Sequence, residues 1–119
     1  MSKNRIFLSL SQRSGFEEQH IQEALATHWI TTGGPNVDAF EQALENYFGN
    51  EAHVGALSSG TAAIHLGLIL LGVQAGDEVI CQSMTFSASA NPILYLGATP
   101  VFIDSETETW NLCPLALEE

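Results

Sequence analysis

AGDEVICQSMTFSASANPILYLGATPVFID, residues 75–104, holds two short β-branched runs with a longer apolar segment between them. Glu78-Val79-Ile80-Cys81 follows the turn-forming Ala75-Gly76-Asp77, and Thr99-Pro100-Val101-Phe102-Ile103 is the second run. Between them, residues 87–96 read as a helix that stops at Gly97. Together with a helix before the first run, this alternation predicts an α/β fold, a parallel sheet with helices on its faces. Pro92 is the awkward residue. It lies past the tolerant first turn of a helix starting at Ser87, so it predicts a late start or a kink across 88–91.

Working outward, residues 62–72 read as a helix that is apolar nearly all round, the pattern of a helix buried on most sides. Residues 16–30 place Ile21, Leu25, His28 and Trp29 at helical spacing on one face, and Thr31 to Asn36, with two glycines and a proline, ends that helix. A second helix is predicted from Asn36 or Val37. Val37, Phe40, Ala43, Leu44, Tyr47 and Phe48 form its stripe, Asp38 and Glu41 suit its positive end, and Gly49-Asn50 is its stop. Residues 6–10 read as an extended arm, and Pro114 as the opening of a further helix. The expected organisation is an arm with helices over 1–50 and the start of an α/β region over 51–119. The chain reads as the front of something longer.

With 119 residues and 12.8 kDa the chain is one domain at most. Hydrophobic residues make up 45% and charged ones only 14%, against about 25% charged in an average soluble domain. Disorder is excluded by that balance, and much of the chain is expected to lie inside something, a partner chain or further sequence included. Lys3, Arg5 and Arg13 are the only basic residues, and all 14 carboxylates follow them. Nucleic acid is therefore not an expected partner, because phosphate neutralisation needs clustered cations. A phosphate bound beyond residue 13 has to be held by backbone N–H groups, hydroxyls, or residues supplied from elsewhere.

Cys81 and Cys113 show no CxxC spacing and read as thiols of a reducing compartment. His20, His28, His53 and His65 form no tight ligand pair, so no metal is expected and each reads as a surface or packing residue. No apolar run is long enough to span a bilayer, and a cytoplasmic protein is expected.

Two stretches could carry chemistry. Ser58-Ser59-Gly60-Thr61-Ala62-Ala63 stands before the apolar helix, where the first N–H groups have no intrahelical partner. Gly60 lets a ligand approach the backbone, and Ser59 and Thr61 add hydroxyls at the positive end of the dipole. That is an anion site built without cations, although the same residues equally describe an ordinary serine or threonine N-cap. Ser83-Met84-Thr85-Phe86-Ser87 follows the first strand, at the carboxyl edge where open parallel sheets bind ligands. Phe86 there could stack on a planar ring, or be ordinary core. Asp104 ends the second strand in a comparable place, and with Glu106 and Glu108 it reads as a solvated loop.

Taken in order, these stretches resemble the DegT-type sugar aminotransferases, pyridoxal-phosphate enzymes of aspartate-aminotransferase fold. The resemblance runs through Trp29-Ile30-Thr31-Thr32-Gly33-Gly34-Pro35-Asn36-Val37-Asp38-Ala39-Phe40-Glu41, with one extra residue before Gly34. S-G-T-A-A-I-H-L-G-L, G-D-E-V-I, T-F-S-A-S-A-N-P-I and G-A-T-P-V-F-I-D follow in the family's order, so the match covers nearly the whole chain.

The resemblance implies that the chain is the N-terminal part of a large, mostly parallel α/β domain, incomplete as it stands, that binds pyridoxal 5′-phosphate. Gly60, Thr61 and Ala62 match the turn that cradles the cofactor phosphate, and Phe86 matches the aromatic that stacks on the pyridine ring. His28, Trp29, Ile30 and Thr31 match a segment lining a nucleotide-sugar pocket, Trp29 and Thr31 above all. The family's Schiff-base lysine and the aspartate pairing with the pyridine nitrogen would fall beyond residue 119, so no catalytic residue is assigned here. Lys3 is no substitute, since nothing around it would lower its pKa. The implied reaction is transamination of a nucleotide-linked 4-keto sugar, a UDP-linked acetamido sugar by similarity to the bacillosamine-type branch. An amino acid, glutamate, would be the donor and a homodimer the working form, in surface-polysaccharide or glycan biosynthesis. Two other readings stay open: sugar dehydration or deoxygenation on the same cofactor, with a histidine at the lysine's position, and a non-catalytic truncated module.

Overall fold

Glutamate carboxylates that accept main-chain N–H groups organise much of the first part of the chain. The structure, a computed structural model, describes residues 9, 11–49 and 51–119. Apart from Ser9, the arm read over 6–10 lies outside the described residues, as do Lys3, Arg5 and Asn50. The chain divides into two compact units, residues 1–56 and 57–119.

In the first unit, α1 spans Glu17–Ala26. The Glu17 carboxylate accepts from the Ser14 N–H at 2.5 Å, the Ser14 hydroxyl at 3.0 Å and the Gly15 N–H at 2.9 Å. These bonds, the Ser14 amide first, hold its pKa down at about 2. The helix stops at Ala26 rather than running to Ile30. Thr27 closes it, its N–H and hydroxyl both donating to the Glu23 carbonyl, at 3.0 and 2.8 Å, and His28 turns left-handed at φ 61°. His28 and Trp29 therefore leave the face carrying Ile21 and Leu25. The indole of Trp29 instead lies against Gly34, where an added Cβ would sit 2.7 Å from the ring.

Helix α2, Pro35–Phe48, opens on the proline, whose missing N–H is harmless in the first turn, and ends at Gly49 with φ 83°. Glu41 and Glu45, one turn apart, accept from the N–H groups of Ala56 at 2.7 Å and Val54 at 3.2 Å. Four helical residues rise about 6 Å, close to the spacing of alternate amides along an extended chain. The pair thus holds the 54–56 segment along the helix.

The second unit begins with α3, Gly60–Leu70, which starts two residues before the predicted Ala62 because Ser59 caps it. Strands β1, Glu78–Gln82, and β2, Thr99–Ile103, pair in parallel, with Glu78 opposite Thr99 and Gln82 opposite Ile103. Helix α4, Ser87–Tyr95, makes the crossover between them and packs on both strands and on α3. Of the late start or kink expected from Pro92, the late start does not occur: α4 begins at Ser87 and carries the proline inside it. Pro92 and Ile93 are its fully buried residues, and with Ala90 and Ala98 they make the core.

His65 of α3 meets Tyr95 of α4 edge to face, ring centroids 5.5 Å apart, so this histidine does pack. The all-round burial expected of α3 is not found. With α4 as its main packing partner, no residue of α3 is buried, and Leu70 remains 78% exposed. Past β2, residues 104–113 form a hairpin closed by the Ser105–Leu112 bridge, and α5, Pro114–Glu118, follows with its proline in the first turn. No helix among the described residues is long and apolar enough to cross a membrane.

Candidate functional site

The carboxyl edge of the sheet and the start of α3 both belong to the second unit. At the sheet edge, the Ser83 N–H donates to the Ile103 carbonyl at 2.9 Å, and its hydroxyl reaches Asp104 Oδ1 at 3.5 Å. The backbone then leaves the sheet. Met84, Thr85 and Phe86 line an open hollow of about 430 Å³, and the Thr85 and Ser89 hydroxyls are hydrogen-bonded at 2.7 Å. Phe86 is 87% exposed, so it is not core in this chain, and its backbone caps α4 in an extended conformation.

At the start of α3, Ser59 Oγ accepts from the Ala62 N–H at 3.2 Å and the Ser59 carbonyl from the Ala63 N–H at 3.1 Å. The N-cap reading is thus realised, and it uses the Ala62 amide. The N–H groups of Gly60 and Thr61 and the Thr61 hydroxyl have no partner among the described residues. A Cβ added at Gly60 would meet nothing within 4 Å. Two free amides, a free hydroxyl and open space at the positive end of a helix dipole suit an anion.

Of the residues singled out from sequence, Gly60, Thr61, Ala62 and Phe86 lie in the second unit and His28, Trp29, Ile30 and Thr31 in the first. Trp29 is half exposed, its indole against Gly34, and Ile30 is 66% exposed.

The run 104–108 is solvent-accessible, as read from the sequence, and is ordered by its own hydrogen bonds. Glu106 accepts from the Thr109 hydroxyl, from the N–H groups of Glu108 at 2.6 Å and Thr109 at 2.8 Å, and from the Asn111 N–H at 3.4 Å. The Thr109 hydroxyl first, and then these amides, hold its pKa down at about 2. Glu106 and Thr109, three residues apart, are the pair that closes this turn. Gln82 was not singled out from sequence either; its carboxamide donates to Ser105 Oγ at 2.9 Å and to the Trp110 carbonyl. Its only local mark is a polar residue closing an apolar strand. Cys81 and Cys113 are free thiols, and burial raises the pKa of Cys81, which makes it a poor nucleophile.

Residues 12–119 match the DegT/DnrJ/EryC1/StrS aminotransferase family. The chain belongs to that family. It is 54% identical over 114 residues to the "Putative pyridoxal phosphate-dependent aminotransferase EpsN" of Bacillus subtilis (strain 168), covering 96% of this chain and 29% of EpsN. To the GDP-perosamine synthase of Escherichia coli O157:H7 it is 40% identical over 109 residues, covering 89% of this chain and 29% of the synthase.

Among solved structures it superposes on "Putative sugar aminotransferase Spr1654 from Streptococcus pneumoniae, PLP-form" with a TM-score of 0.82. Identity there is 36%, over 95% of this chain and 28% of that one. The fold is thus part of the α/β fold of these aminotransferases, and the chain spans about three tenths of the length of the relatives it matches. The second unit fits the cofactor named in such relatives. A phosphate monoester needs donors, which Gly60 and Thr61 have free, and a planar ring needs an accessible aromatic face, which Phe86 offers.

Proposed function

We propose that the protein carrying this chain transfers an amino group from an amino acid, glutamate, to a nucleotide-linked 4-keto sugar, with pyridoxal 5′-phosphate as cofactor. The names of the relatives support sugar transamination, and the spore coat polysaccharide biosynthesis protein SpsC of Bacillus subtilis, 42% identical over 102 residues, supports a place in surface-polysaccharide synthesis. A working homodimer in the cytoplasm, acting on a UDP-linked acetamido sugar, belongs to the same proposal.

The observation that carries the reading is that the amides of Gly60 and Thr61, at the start of α3, have no partner among the described residues. Their N–H groups and the Thr61 hydroxyl hold the phosphate. Ala62 stands in the same turn, its own N–H shared with Ser59 Oγ. Phe86 supplies a flat face for the pyridine ring and shields it from water on that side. His28, Trp29, Ile30 and Thr31 line the sugar-nucleotide pocket. When bound, the cofactor supplies an electron sink for the bond broken at the amino acid's α-carbon. Lys3 is the one lysine of the sequence, and in this reading the amine that anchors the cofactor is not among these 119 residues.

Thr61→Ala tests the assignment. It removes a hydrogen bond to a charged group, worth about 1.5–3 kcal/mol, so pyridoxal phosphate should bind roughly tenfold to hundredfold more weakly in equilibrium dialysis. Unaltered affinity would show that the phosphate is held elsewhere.

A further inference from the structure

We propose that Gln82 is a positioning residue: by tying the end of β1 to the 104–113 hairpin it sets where Thr85 and Phe86 stand at the hollow. The functional meaning of that placement rests on the cofactor reading above. The carboxamide nitrogen carries two hydrogens, and both are used. One goes to Ser105 Oγ at 2.9 Å and the other to the Trp110 carbonyl, acceptors 23 and 28 residues further along the chain.

Trp110 is held at φ 63°, a region that bulky side chains rarely occupy. Its carbonyl therefore points where a strained backbone sends it, and the Gln82 bond helps to keep it there. Next along the chain, Ser83 is held by its N–H on the Ile103 carbonyl at 2.9 Å, with its hydroxyl 3.5 Å from Asp104 Oδ1. Only residues 84–86 then remain before α4, which is anchored through Ala90, Pro92 and Ile93 in the core. A three-residue loop held at both ends has little freedom, so the direction of Phe86 follows from the clamp.

Amide hydrogen exchange read by mass spectrometry on the protein carrying this chain tests the inference, with Gln82→Met as a variant of similar length that lacks the donors. Exchange should quicken about tenfold in both the 83–89 and 104–113 peptides, and pyridoxal phosphate should bind at least about fivefold more weakly. Faster exchange in 104–113 with 83–89 at its wild-type rate would reduce Gln82 to a hairpin tie and overturn the proposal. Unchanged cofactor affinity in the variant would overturn it as well. If the wild-type protein itself takes up no pyridoxal phosphate, the cofactor reading fails, and the exchange of 83–89 still decides the role of Gln82. Should Gln82→Met lose its far-UV helicity, Ser105→Ala, which removes one acceptor, is read by the same two peptides.

Discussion

Gly34 and Gly60 both stand at the start of a helix, and opposite physics puts a glycine at each. Gly34 has φ 111° and the Trp29 indole lies where its Cβ would be, 2.7 Å from the ring. Gly34→Ala forces an unfavourable backbone conformation and a clash together, and should destabilise the first unit by about 1–3 kcal/mol in urea unfolding. Gly60 carries neither constraint, since its Cβ would meet open space. Gly60→Ala should leave stability within about 1 kcal/mol, so any loss it causes belongs to a ligand that approaches the backbone. Equal destabilisation by the two substitutions would remove the argument that Gly60 keeps room for a phosphate.

Helix α4 is the element on which the second unit is built, because it carries Ala90, Pro92 and Ile93 of the core. Ile93 is 1% exposed, and Ile93→Ala should cost about 2–5 kcal/mol, seen as an early loss of far-UV signal in urea. The 104–113 hairpin makes a pH prediction. Glu106 titrates at about 2 in the folded chain against an ordinary 4.5, so its contribution is full above pH 4.5 and is lost as pH falls through about 2. Trp110 fluorescence in a Trp29→Phe background should follow that loss, and Glu106→Gln should abolish the step. A transition of the same midpoint in Glu106→Gln would assign it to another group.

The β-branched runs read at 78–81 and 99–103 coincide with β1 and β2 to within a residue, because parallel strands are written in local apolar runs. The overrun of α1 has a different cause. Periodicity saw His28 and Trp29 on its face, while the left-handed turn at His28 is set by hydrogen bonds to residues 23 and 25 and by the seat of Trp29 on Gly34.

At the scale of the whole chain, apolar surface is abundant and cationic charge is confined to one end. Leu70, Leu71, Phe86 and Leu115 are all at least 75% exposed, as suits a chain covering about three tenths of its relatives. The Gly60-Thr61 turn was readable in the sequence because a helix N-terminus after small hydroxylated residues is a local pattern. The exposure of Phe86 was not, since composition does not tell an accessible aromatic from a buried one. Gln82 escaped for a stronger reason, its partners lying 23 and 28 residues away.

The central claim is that backbone amides of this turn hold the phosphate of the cofactor. Amide exchange of the 58–63 peptide, with pyridoxal 5′-phosphate and with pyridoxal lacking the phosphate, tests it most directly. Slowed exchange at Gly60 and Thr61 with the phosphorylated compound alone is the predicted result; equal exchange with both compounds, in a protein that demonstrably binds the cofactor, would contradict it.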